Sequence, residues 1–353
     1  MYDVVIIGGG PAGTTLARLI AHHKNVLILD RRDLANPFQG GYEKTCGGLL
    51  APDAQEMLAR LGLGLPKEIL VGPQLFTVRT MDLESGRERY YPRNYLNVDR
   101  EAFDRWLVSL LPPQVEVRWG SLFRAITSYP QGYSVSYSQG GQLQQVQARF
   151  VVGADGANSR LRAELEATSP RRYVAMQEWF RVNAAQPYYS AIFDGAVTDF
   201  YSWTIPKEDK LLVGSAIPAG TDVHRRFALL KERLALRGYD LNNSVKLRGT
   251  HLLRPSSLGQ VYLGRDCLAL IGEAAGWVSP SSAEGLSYAF RSALALARAL
   301  EPSCTGALRR YHSLCRGLRL NILGKLAKSP AMYWPILRRM AMGSGLFSIH
   351  MLE

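Results

Sequence analysis

The sequence predicts an α/β fold: a Rossmann-like nucleotide-binding domain interrupted by a mixed or antiparallel β-sheet layer and followed by a basic helical tail. Three observations predict it. An apolar strand opens into a glycine-rich turn and a helix within residues 2–20, the next strand ends on a carboxylate at Asp30, and strand-like segments at 71–94 and 166–254 separate the remaining helical pieces.

The first segment reads YDVVII, then Gly8, Gly9, Gly10, Pro11, Ala12 and Gly13, then TTLARLIAHH. Gly8 suits a tight turn, Gly10 a close approach of backbone to pyrophosphate, and Gly13 close packing of helix on strand, with Ala12 in the first helical turn. The strand NVLILD ends at Asp30, 22 positions after Gly8 and followed by Arg31. At that distance a carboxylate accepts from the hydroxyls of an adenosine ribose, so Asp30 and Arg31 join the expected nucleotide contacts.

A broken stretch with EKTCGGLLAPDAQ precedes a hairpin pattern at 71–94, and Asp99 then stands where it caps a helix with apolar positions Phe103, Leu107 and Leu110 and with Arg100 near its start. VEVRW, YSVSYS and QVQARFVVGADG read as strands, joined in part by a tight turn at residues 139–141, and they deliver Gly153 to Arg160. A last buried strand leads to a Gly272-Glu273 turn and to a helix expected to begin near Ser281 or Ser282. The expected domains are 1–70, 95–165 and 255–300 for the nucleotide, 71–94 and 166–254 for the substrate, and 301–353 for the tail.

GGGPAG at 8–13, VGADGANSR at 152–160 and LIGEAAG at 270–276 resemble the flavoprotein group that includes para-hydroxybenzoate hydroxylase. The resemblance implies FAD, contacted by Arg100, by Asp155 with Gly156, and by Gly272 with an acidic neighbour, here Glu273 where Asp is commoner. Within the group, KTCGGLLAPDAQ at 44–55, YSWTIP at 201–206 and IGEAAGWVSPSSAEGLSYAF at 271–290 resemble the geranylgeranyl reductase family, especially its small bacterial CbrA-like branch.

That likeness implies reduction of carbon-carbon double bonds in an isoprenoid or related hydrophobic substrate, with hydride from reduced flavin N5. It puts Lys44, Cys46, Gly47 and Gly48 beside the flavin, the glycines letting backbone approach a planar ring. Cys46 is the candidate proton donor, and the alternative is a small apolar side chain packed under the ring. Backbone groups of Gly285 and Leu286 are expected at the pyrimidine side of the flavin. Tyr201 and Trp203, alternating on one strand face that Pro206 ends, are candidates for an apolar substrate wall or for core packing. YSWTIP is also similar to the WxWxIP motif of flavin-dependent halogenases, from which Tyr201 departs.

The formal charge is +12, and residues 302–352 hold eight Arg and Lys and no acid. With interleaved leucines, isoleucines and Trp334, they read as amphipathic helices broken around Pro330 and Pro335, either covering the FAD domain or contacting an anionic membrane from its inner face. Recognisable nucleic-acid motifs and metal-ligand spacings are missing, so neither nucleic acid nor metal is expected. Four scattered cysteines, no apolar run long enough to span a bilayer and no secretory pattern suggest the cytoplasm. NAD(P)H and other electron donors remain open, as does oligomeric state. The competing functions are an NAD(P)H-dependent flavin monooxygenase of an aromatic or polyketide-like compound and a non-catalytic flavin-binding regulator.

Overall fold

The computed structural model describes residues 1–35, 45–183 and 186–352; Lys44 lies outside them. The chain forms two compact units, one of Met1–Glu43, Glu101–Pro170 and Leu253–Lys325, the other of Lys44–Arg100, Arg171–Leu252 and Leu326–Glu353. Residues 45–70 and 95–100 thus group with the β-rich unit rather than with the nucleotide-binding pieces, and so do residues 326–352 of the tail.

In the first unit Leu268–Leu270, Gln142–Gly153, Tyr2–Ile7, Val26–Leu29 and Glu116–Arg118 lie side by side, each parallel to the next. Their apolar runs are buried on both faces, as a helix-covered parallel sheet requires. The register sets Ile7 beside both Leu29 and Gly153, and Gly153 beside Leu270. Leu122–Tyr129 and Gly132–Gln139 extend the sheet as antiparallel strands. Gly140 and Gly141, with φ of +57° and +81°, make the two-residue turn into Gln142–Gly153 that side chains resist.

Helices Pro11–Ile20 and Leu286–Leu300 pack on each other. The second starts later than the serines suggest. Ala283 takes φ +54°, outside the helical region, and Ser279 Oγ accepts from Ser282 N at 3.2 Å, so 279–284 close as a turn and Gly285 precedes the first helical residue. Tyr311, on helix Ala307–Leu314, is buried and donates to the Leu270 carbonyl at 3.1 Å, so this part of the tail covers the first unit.

The second unit is a sheet ordered Ser244–Arg254, Arg171–Arg181, Lys210–Pro218, Ser202–Lys207, Tyr189–Phe193, Leu75–Asp82, Arg87–Asn97 and Leu49–Leu50. Tyr189–Phe193 runs parallel to Leu75–Asp82, while the pairs from Arg171–Arg181 to Tyr189–Phe193 and from Leu75–Asp82 to Leu49–Leu50 are antiparallel. Helix Val223–Ala235, capped by the Asp222 side chain, buries Phe227, Leu230 and Leu234 with Met81, Phe180, Ile192 and Val213.

Pro330 does not break the tail. It sits inside helix Arg316–Tyr333, where it removes one ladder donor and keeps a helix-compatible φ, and the break falls at Trp334 before Pro335–Ser344. Arg338, on this last helix, is buried. It donates to Asp82 at 3.1 Å and to Glu84 at 3.4 Å, and its guanidinium lies 5.1 Å from the centre of the Phe193 ring.

Burial pushes the Asp82 carboxyl up, but the hydrogen bond and charge of Arg338 and the Ser85 amide outweigh it and hold the pKa below the usual range. The pair's stabilisation is therefore present above the ordinary carboxylate range and is lost as pH falls through the depressed value. Arg338→Met, which strands a buried carboxylate, should cost about 3–5 kcal/mol in denaturant unfolding at neutral pH, and the loss should shrink in acid as Asp82 protonates.

Candidate functional site

At the carboxyl edge of the parallel sheet, three separate sequence segments meet. A Cβ on Gly8, whose φ is +109°, would lie 2.5 Å from the Ala154 carbonyl oxygen, and one on Gly13 would lie 1.9 Å from that of Gly8. Gly272 brings the third segment in, since its Cβ position is 3.0 Å from Ala12 Cβ. Gly10 differs. The nearest atom to its Cβ position is Arg32 Nη2 at 3.8 Å, which leaves room before helix Pro11–Ile20. That helix start has no side-chain cap and no acidic residue, the conditions under which backbone N–H groups receive an anion.

Asp30 is buried at the end of Val26–Leu29. Its oxygens accept from Gly9 N at 2.6 Å and from Arg32 N, Nε and Nη2 at 2.8, 3.1 and 2.9 Å. Burial alone would raise its pKa, and the Arg32 charge and hydrogen bonds with the Gly9 amide hold it below the usual range instead. These donors fill the carboxylate's acceptor sites, so a ribose hydroxyl reaches Asp30 only by displacing one of them. Arg32, which also meets Asp104 at 3.3 Å, was not singled out by motif spacing; a second arginine after the strand-ending acid was its one signal. Arg31 is exposed, with the charges of Asp155 and Arg160 acting on it.

Asp155 accepts from Arg160 N at 2.8 Å through Oδ2, while its buried Oδ1 has no partner among the described residues. Burial pushes this carboxyl up. Gly156, next to it, takes φ +76° with open space at its Cβ position. Glu273 Oε1 accepts from Leu253 N at 3.0 Å, which draws on one of its two oxygens. Gly285 also faces open space, and the helix from Leu286 starts with neither side-chain cap nor acid in its first turn.

The remaining predicted residues belong to the second unit. Cys46 Sγ accepts from Gly48 N at 3.5 Å and from Arg100 Nη1 at 3.4 Å. The glycines after it answer to protein packing: a Cβ on Gly47 would meet Ile205 Cδ1 at 2.6 Å, and one on Gly48, at φ +63°, would meet the Val98 carbonyl oxygen at 2.3 Å. Lys207 Nζ, a group the motifs missed, donates to the Val98 carbonyl at 2.9 Å and the Gly48 carbonyl at 3.4 Å. Burial pulls this ammonium down to about 8 against the charges of Cys46 and Asp99.

Trp203, Ile205 and Lys207 alternate along Ser202–Lys207 and so share one face. Pro206 therefore lies within the strand, and Lys207 ends it. The Trp203 indole lies over Gly214, whose Cβ position is 2.4 Å from it, and its buried Nε1 has no partner among the described residues. Tyr201 lies 5.5 Å from Trp203 and 4.9 Å from Phe200 between ring centres. One strand face thus runs from an aromatic cluster to the loop that carries Cys46.

The family model described as FAD binding domain matches residues 1–233. The chain belongs to this FAD-binding family. Over 353 residues it is 42% identical to Protein CbrA of Escherichia coli O139:H28 (strain E24377A / ETEC), covering all of this chain and 99% of that one. Among solved structures it is similar to a geranylgeranyl bacteriochlorophyll reductase-like protein from Thermoplasma acidophilum, with TM-score 0.77, 16% identity and 98% and 99% of the two chains covered. A probable FAD-dependent monooxygenase, pqsL of Pseudomonas aeruginosa, gives 0.72, 17%, 98% and 99%, and the flavin-dependent brominase Bmp2 gives 0.71, 18%, 98% and 94%. These three likenesses show the fold.

FAD is the cofactor of this FAD-binding oxidoreductase fold, and the residues present fit it. The open space at Gly10, the uncapped helix starts and the unpartnered Asp155 oxygen match a ligand that carries both phosphates and hydroxyls. Gly13→Ala should give folded protein, by circular dichroism, that purifies with little flavin absorbance, because the loop cannot close around a Cβ 1.9 Å from the Gly8 oxygen.

Proposed function

We propose that this FAD-dependent oxidoreductase reduces carbon-carbon double bonds of an isoprenoid or related hydrophobic substrate. The observation that carries the reading is the strand face that joins Tyr201 and Trp203 to Cys46 through Ile205 and Lys207. The aromatic end suits an apolar chain, and the thiol end suits delivery of a proton. When bound and reduced, the flavin supplies a hydride to one alkene carbon.

The other carbon needs a proton, and Cys46 is the donor in this scheme. Its sulfur already accepts from the Gly48 amide and the Arg100 guanidinium, partners that favour the thiolate left behind. Lys207 acts as a positioning residue. It ties the Gly48 and Val98 carbonyls together, fixing the loop, and adds positive charge near the sulfur.

Reduced anaerobically and offered isoprenoid, quinone and aromatic compounds, the holoenzyme should return a product heavier by two hydrogens. A product carrying an inserted oxygen under air would assign hydroxylation instead, and no turnover with any donor would favour a regulator. Cys46→Ala should keep FAD and lose alkene-dependent reoxidation; unchanged turnover excludes the proton-donor role. Activity should fall as pH rises through about 8, where Lys207 loses its charge, and Lys207→Arg should move that limb to higher pH.

A further inference from the structure

The last helix, Pro335–Ser344, has two unlike sides. Arg338 and Met342 are buried, one in the ion pair with Asp82 and the other under the helix, where its carbonyl accepts from Arg89 Nε at 3.0 Å. Ile336 and Met340, on the opposite side, are 72% and 67% exposed.

Beyond the helix, Gly345 turns the chain at φ +64° and Ser348 closes the turn, its N and Oγ reaching the Gly345 carbonyl at 3.0 and 2.6 Å. Ile349 N then donates to the Tyr90 carbonyl at 2.8 Å, pinning the far side of the turn to the sheet. The turn presents Leu346 and Phe347, 64% and 81% exposed, and holds Phe347 at φ +62°, a backbone conformation that costs a bulky residue energy. Trp334 is exposed at the helix start. A tip with large apolar side chains, fixed at both ends, is a surface built to be covered.

Its charge points to the occupant. Residues 302–352 contain no Asp or Glu and carry Lys328 and Arg339, the latter half-exposed although it meets Glu84 at 3.7 Å, and Arg87 Nη1 lies 2.8 Å from the Gly343 Cβ position. A second copy would bring like charges together, whereas phosphate headgroups complement them, with Trp334 at interfacial depth and Phe347 among acyl chains. We infer that the tip formed by Pro335–Ser344 and the 345–348 turn docks on an anionic lipid surface. The inference is independent of the proposed reaction. Among the described residues no helix is long and apolar enough to cross a membrane, so the contact is peripheral.

The test is sedimentation of the FAD-loaded full chain with phosphatidylcholine vesicles, with and without phosphatidylglycerol. Binding should be about tenfold stronger on the anionic vesicles, weaken at high salt, and drop about tenfold in Ile336→Ser/Phe347→Ser at unchanged FAD content. Equal binding to both vesicle types, or by variant and wild type, overturns the inference. So does a wild-type dimer in light scattering that the double variant converts to monomer, which would assign the tip to a second copy.

Discussion

The first unit depends on the register of its parallel sheet. Because Ile7 lies beside Leu29 and Gly153, and Gly153 beside Leu270, the strands finish at one edge and their following residues meet there. Gly8 then packs on Ala154, and Gly272 on Ala12, at distances that exclude side chains. A slip of one residue would part Gly8 from Ala154 and Gly272 from Ala12, the contacts that bring the three segments together. Ligand binding at the carboxyl ends of such strands follows from this alignment, since loops there carry helix N-termini and unpaired polar groups.

The second unit uses a different device. Period-two alternation on Ser202–Lys207 puts an indole, an isoleucine and an ammonium group on one face, and a tight loop with glycines at 47 and 48 lies against its far end. Lys207 adds a side-chain bridge to the Gly48 and Val98 carbonyls, beside the backbone bond from Val98 N to the Gly48 carbonyl at 2.8 Å.

Much of the first glycine loop's geometry was legible because its signal is local: Gly8, Gly10 and Gly13 occupy fixed offsets dictated by backbone geometry within one strand-turn-helix unit. The hairpins at 75–97 and 132–153 were similarly plain from alternation and turn glycines. Other features were not. Ser281 and Ser282 looked like helix caps, yet Ala283 at positive φ delays the helix to Leu286. The motif KTCGG likewise gave no sign that the Cβ positions of Gly47 and Gly48 meet Ile205 and Val98. Nothing in the tail's sequence sets Arg338 apart from its other basic residues, yet it is buried in an ion pair with Asp82.

By itself, the sequence determined the α/β class, the glycine loop and the order of the strand and helix segments around it, all of which rest on short-range periodicity and on conformations that few residues adopt. Tertiary structure decided which of the charged groups meet: Arg32 with Asp30, Lys207 with the Cys46 loop, and Arg338 with Asp82, 256 positions away. The reason is physical. Backbone preference is a property of neighbouring residues, whereas an ion pair or a carbonyl clamp forms between groups that only packing brings within a few ångströms.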